Sequence, residues 1–252
     1  MLQVNQLSIG FSSKVVASDI TIHLNSGQLT ALIGVNGAGK STLLRTIAGL
    51  QPVLKGDISV GNQQITHLPA TERAKHISIV LTEKIAGLKL SVQDVIATGR
   101  HPYTNWLGTL TKTDRQKIQE SASLLEISDW LSRPVGELSD GQLQKVMIAR
   151  AVAQDTPVIL LDEPATHLDL PNKAILYKTL KKLCRLGKTI LFSTHDVEAA
   201  LQIADGIVMI SQQQTQQLST PDFIAGDLPN QLFDGDVVEF DRNSVKFIFK
   251  NW

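Results

Sequence analysis

With a single cysteine, Cys184, in 252 residues, the sequence has neither the partner for an internal disulfide nor the thiolates for a metal cluster. Cys184 falls in a helical stretch, where it is read as a small apolar residue. Neither sign of charge prevails: 24 Lys and Arg oppose 24 Asp and Glu. No global field is therefore available to hold a polyanion or an anionic membrane, and nucleic acid is not favoured as a partner. Long apolar runs are missing as well. No stretch nears the ~18 uninterrupted apolar residues of a membrane span, and the opening MLQVNQLSIG lacks the basic and apolar regions of a signal peptide. The chain is expected to stay in the cytosol. What is present, 42% hydrophobic residues, suffices for one large core or a core plus a smaller subdomain.

The strongest local signal is GVNGAGKST at residues 34–42, preceded by the apolar run Leu29–Ile33. A strand that feeds a glycine loop and then a helix, from about Lys40 to Ala48, is the architecture of a phosphate cradle. Gly34, Gly37 and Gly39 let backbone amides approach phosphate oxygens, Lys40 adds a point charge, and the Ser41 hydroxyl suits Mg²⁺. The positive end of the helix aims at the same anion.

Around this loop the opening of the chain is β-rich. Leu2 to Ile9 and Ile20 to Leu24 alternate apolar with polar, and Gly56–Val60 is a further strand ended by Gly61-Asn62. A short helix is expected over Pro69 to Lys75 and a strand over His76 to Leu81. Helical spacing then takes over from Ser91 to Leu131, with Val92, Val95 and Ile96 on one face and Ile118, Ala122 and Leu125 on another. Sheet-forming sequence returns at Val158–Leu161 and Thr189–Ser193, each preceded by a helix, which implies a mostly parallel sheet covered on both faces. Between them Leu176, Leu180 and Leu183 form the packing stripe of a helix whose Lys178, Lys181, Lys182 and Arg185 read as a solvated face. The glutamine-rich run Ser211–Gln217 follows the strand Gly206–Ile210 and reads as a polar turn. A helix at Pro221–Ala225 comes next, and Val237–Phe240 with Val245–Phe249 reads as a closing hairpin.

Two further segments carry chemistry. The strand Val158–Leu161 delivers Asp162 and Glu163 at its carboxyl end, the edge where open parallel sheets bind ligands. Phosphoryl transfer to water divides labour this way, with one carboxylate for the cation and one to orient and deprotonate the nucleophile. Leu138-Ser139-Asp140-Gly141-Gln142 opens a helix, because Ser139 and Gln142 stand in a capping-box arrangement.

Taken in order, GVNGAGKST, LSDGQ, VILLDEP, ATHLD and Thr194-His195-Asp196 resemble the motif set of the ATP-binding-cassette (ABC) ATPases, and the likeness covers nearly the whole chain. It implies an α/β fold: a P-loop NTPase core with a mostly parallel sheet and an antiparallel β subdomain (1–83 and 154–252), and an inserted helical subdomain at 84–153. ATP would be held by the Walker A residues Gly34, Asn36, Gly37, Ala38, Gly39, Lys40, Ser41 and Thr42. Mg²⁺ would sit on Ser41 and Asp162. Glu163 would activate water, with His195 of the switch loop and Lys40 completing the catalytic group, and Ala165–Asp169 would form the D-loop. Two copies would dimerise head to tail, so that Ser139, Gly141 and Gln142 of one contact the γ-phosphate held by the other. Phe11 stands where the family stacks an aromatic ring on adenine, although an aromatic beside a first strand equally suits the core.

Two positions depart from the family pattern. Thr82, followed by Glu83, replaces the glutamine that links Mg²⁺ to the membrane partner, and a threonine hydroxyl is too short to reach the metal except through water. Asp140 stands where glycine is most common, which either repels nucleotide or turns the side chain outward. The loop Gly99-Arg100-His101-Pro102-Tyr103-Thr104-Asn105-Trp106-Leu107-Gly108 sets Tyr103 and Trp106 beside a basic pair, a composition suited either to an interface or to a loop folded over its own subdomain. Its G-R-x-P start resembles the ATPase subunits of importers for iron-siderophores, haem and cobalamin. The implied partners are separate permease subunits and a substrate-binding protein, with the chain peripheral on the inner face of the membrane. The alternatives are a soluble ABC ATPase without a transporter and an exporter ATPase; a small-molecule kinase leaves LSDGQ and His195 unexplained.

Overall fold

The computed structural model describes residues 1–11, 14–82, 89–166, 168–211, 214–233 and 237–250. In chain order it shows β1 (Leu2–Phe11), β2 (Lys14–Leu24), β3 (Leu29–Ile33), α1 (Lys40–Ala48), β4 (Lys55–Val60), β5 (Gln63–Gln64), α2 (Ala70–Arg73) and β6 (Ile77–Val80). The helices α3 (Val92–Thr98), α4 (Lys112–Leu124) and α5 (Asp140–Ala153) follow. Then come β7 (Val158–Leu161), α6 (Leu170–Arg185), β8 (Thr189–Ser193), α7 (Val197–Ile203), β9 (Gly206–Ser211), β10 (Gln214–Ser219), α8 (Thr220–Ala225), β11 (Val238–Asp241) and β12 (Lys246–Phe249). The fold is α/β, as its sequence implies.

The central sheet runs β10-β9-β3-β8-β7-β6, parallel throughout except for the antiparallel β10. Strands β3, β7 and β8 are buried at every residue, which is why they read as unbroken apolar runs rather than alternations. Their alternation survives in the packing. Leu29, Ala31 and Ile33 of β3, with Ile159 and Leu161 of β7, face a core shared with α3 to α7. Leu32, Val158 and Leu160 face the other way, onto α1 and the antiparallel sheet β2-β1-β4-β5. Register then aligns the exits of the strands. Pairing of Leu32 with Ser193 and of Leu161 with Phe192 brings the residues after β3, β7 and β8 to one edge.

Two expectations are corrected. Gln214–Ser219 is a strand rather than part of a polar turn. Its rungs to β9 are backbone bonds that need no apolar side chain, and Gln217 adds a hydrogen bond by accepting the His23 N–H at 2.8 Å. Positions 212 and 213 of that run lie outside the described residues. In the 99–108 loop, Arg100 is not part of an exposed basic pair. Its guanidinium is buried, donating from Nε to Asp114 Oδ1 at 2.8 Å and from Nη1 to the Ala153 carbonyl at 2.7 Å, with the Tyr103 ring 4.0 Å away. The tip still faces out: Trp106 is 90% exposed.

Burial works against the charge of Asp114, but bonds from the Thr111 hydroxyl and Arg100 outweigh it and hold the carboxyl below the ordinary carboxylate range. A depressed folded pKa contributes stability that is present above the unfolded value and lost as pH falls through the folded one. Asp114→Ala would strand a buried guanidinium and open the α4 capping box, so a loss of about 3–5 kcal/mol is expected in denaturant titrations at neutral pH. The mutant should also lose part of the parent's stability change on acidification. A parental midpoint would contradict this reading of the pair.

Candidate nucleotide-binding site

The loop after β3 is built by backbone that side chains resist. Gly34 passes so close to β9 that a Cβ there would lie 2.4 Å from the Ile210 carbonyl oxygen, and Gly39 caps α1 at φ +103. Because the cap has no side-chain acceptor, the first amides of α1 point at the loop unsatisfied by any residue of the cap. Lys40, the first residue of α1, folds back into the loop, its Nζ donating to the carbonyls of Gly34 at 2.8 Å and Val35 at 3.2 Å. Burial lowers its pKa, while the charges of Glu163 and Asp162 pull it back up. Asn36 and Gly37 form the exposed rim, and Ala38 closes the turn onto Val35. Thr42, the third residue of α1, is half-buried.

At the same sheet edge, Ser41 Oγ donates to Asp162 Oδ1 at 3.0 Å, and Ser193 Oγ donates to the same oxygen at 2.7 Å. Glu163 follows in the left-handed region, φ +46, with its N–H on Ser193 Oγ at 2.8 Å. Its Oε2 accepts from Thr166 Oγ1 at 3.1 Å and lies 3.4 Å from His195 Nδ1. His195 is half-exposed on the turn between β8 and α7, anchored by Asp196, which caps α7 and pairs with Lys173 at 2.7 Å. That pairing, with the bond to Ala199 N–H, outweighs burial and holds the Asp196 carboxyl below its ordinary range. The structure therefore brings Lys40, Ser41, Asp162, Glu163 and His195 together. Ser193 and Thr82 belong to the same group: Ser193 was missed in the sequence, and Thr82, read there only as a replacement for glutamine, was not expected to bond Asp162. Their only signal there is a hydroxyl at the end of an apolar strand.

Ser139, Gly141 and Gln142 form a separate feature. Ser139 and Gln142 satisfy each other's backbone N–H groups in the capping box read from the sequence. Gly141 lies against the start of α6, where a Cβ would sit 3.3 Å from Leu168. Among the described residues, no hydrogen bond joins these three to the Lys40 loop. Asp140 is exposed in the first turn of α5, where its charge suits the helix dipole. Phe11 is 60% exposed at the end of β1, so it is not a core residue. The Thr82 hydroxyl is committed to the Asp162 carbonyl at 2.8 Å. Glu83, beside it, and His167, within Ala165–Asp169, lie outside the described residues.

A glycine loop between strand and helix, facing two carboxylates on a parallel sheet edge, defines a phosphate-loop nucleotide-binding protein. The ABC transporter family model matches residues 17–166, and the chain belongs to that family as an ATP-binding, ATP-hydrolysing member. It is 39% identical, over 93% of its length and 81% of the relative, to an ABC transporter ATP-binding protein of Methanocaldococcus jannaschii. It is 34% identical to the petrobactin import ATP-binding protein of Bacillus subtilis, covering 88% of each chain. A solved structure described as a metal-chelate-type ABC transporter in an inward-facing conformation superposes with a TM-score of 0.81 at 28% identity, covering 92% of this chain and 88% of that one. Among the described residues no helix is long and apolar enough to cross a membrane.

Proposed function

We propose that the protein is the ATPase subunit of a binding-protein-dependent importer whose cargo is a metal chelate: an iron-siderophore, haem or cobalamin. It would lie on the inner face of the membrane beside separate permease subunits. The likeness to a petrobactin import protein and to a metal-chelate-type transporter supports this cargo class, as does the G-R-x-P start of the 99–108 loop.

In this reading the amides of Gly34 to Thr42 cradle the phosphates, and Lys40 exchanges its two loop carbonyls for phosphate oxygens. Ser41 and Asp162 suit Mg²⁺, because a hydroxyl and a carboxylate oxygen 3.0 Å apart can face one hard cation that takes its remaining ligands from water and phosphate. Bound there, Mg²⁺ would neutralise charge on the β- and γ-phosphate oxygens. Glu163 accepts the proton of the attacking water, and His195 stabilises the transferring phosphoryl group. Phe11 offers its exposed ring to adenine. Ser139, Gly141 and Gln142 reach the γ-phosphate of a second copy, so two chains close on two nucleotides. That closure moves the helices of a permease docked near residues 82–108.

The observation that carries the reading is the single hydrogen-bonded chain from Ser41 through Asp162 and Ser193 to Glu163. Co-expression of this chain with the permease subunits of a metal-chelate importer tests the transport half: the two should co-purify, with ATPase activity rising on reconstitution with a loaded binding protein. Recovery of the chain only as a free protein, with unchanged activity, would favour a soluble ABC ATPase.

A further inference from the structure

We infer that Thr82 is a positioning residue for hydrolysis: its hydroxyl, acting with that of Ser193, fixes the peptide that joins Asp162 to Glu163 and so sets the direction of the Glu163 carboxylate. The inference rests on the proposed role of Glu163 as base. Its ground is the strand order. Because β7 lies between β6 and β8, the residues leaving those neighbours flank the Asp162–Glu163 peptide on both sides. The carbonyl of that peptide accepts from Thr82 Oγ1 at 2.8 Å, and its N–H donates to Ser193 Oγ at 2.8 Å. Asp162 N–H donates to the Val80 carbonyl at 2.8 Å. The Thr82 side chain thus supplies the next rung of the ladder after the last residue of β6.

A peptide held at both ends cannot rotate without breaking both bonds. What it constrains is the residue that follows, since Glu163 sits at φ +46, a region that a side chain with a Cβ occupies only where its surroundings force it. Rotation of that peptide would swing Oε2 away from Thr166 and His195. Ser193 also holds the Asp162 carboxylate, so its removal would disturb the metal ligand as well. Among the described residues the Thr82 hydroxyl bonds the Asp162 backbone carbonyl and no side chain, which makes it the clean probe.

Thr82→Val keeps the shape and removes the hydroxyl, whereas Thr82→Ser keeps the hydroxyl. Steady-state MgATP hydrolysis by the full chain should show kcat down about ten-fold or more in the valine variant, with KM within about two-fold of the parent. The serine variant should return kcat to within about two-fold. Thr82→Ala takes the place of valine if melting shows the latter unfolded. Parental kcat in the hydroxyl-free variant, a loss carried by KM instead, or failure of serine to restore the rate would each overturn the inference. Glu163→Gln assayed alongside separates the two ideas: activity there removes the base itself, while an inactive Glu163→Gln beside a parental Thr82→Val removes only the role of Thr82.

Discussion

Glu163→Gln is expected to lower ATP turnover by about 10²–10⁴-fold while leaving ATP bound. The substitution keeps the size and planarity of the side chain, and its amide oxygen can still accept from Thr166 Oγ1, so the turn after β7 should hold. What disappears is the basicity. A carboxamide cannot take the proton of an attacking water, and the position 3.4 Å from His195 Nδ1 loses its charge. Because Ser41, Asp162 and the loop amides are untouched, nucleotide affinity should survive, and the variant should hold ATP instead of turning it over. Phosphate release under single-turnover conditions gives the rate, and filter retention of labelled ATP gives the binding. Hydrolysis at the parental rate would remove Glu163 as the base.

Lys40→Ala should do the reverse and abolish nucleotide retention. The ammonium is buried and, among the described residues, hydrogen-bonds to the carbonyls of Gly34 and Val35, partners that an anion readily replaces. Burial depresses the Lys40 pKa by disfavouring its charge, and the neighbouring Glu163 and Asp162 oppose that shift. Those two carboxylates would also repel a triphosphate once the lysine is gone. Loss of a desolvated charge contact of this kind costs about 2–5 kcal/mol, or roughly 30- to several-thousand-fold in affinity. Isothermal titration with MgATP measures it, with circular dichroism to verify that α1 persists. Unchanged affinity would contradict the cradle.

Much of this was legible in the residues because it is local. The helix Lys40–Ala48, the apolar strand Leu29–Ile33 and the Ser139–Gln142 capping box depend on neighbours within four positions, and each lies where its pattern placed it. The misses are non-local. Arg100 looked like half of a basic surface pair because its partner Asp114 lies 14 residues on, and only the packing of α4 brings the two together. The Gln214–Ser219 strand has no hydrophobic alternation, since its bonds to β9 are made by the backbone. Thr82 and Ser193 stand more than a hundred residues apart and meet the Asp162–Glu163 peptide only through the order β8-β7-β6, which no short pattern encodes. The proposed approach of Ser139 to a second chain's phosphate is likewise a matter of assembly rather than of local sequence.

That assembly is the centre of the account, and the mass of the Glu163→Gln chain in solution tests it most directly. Sedimentation with saturating MgATP should give a particle of twice the chain mass holding two nucleotides, returning to the single-chain mass when Ser139 is also replaced by arginine. A single-chain particle that binds ATP fully, with Ser139 intact, would show that the site closes without a partner and would contradict the shared-nucleotide dimer.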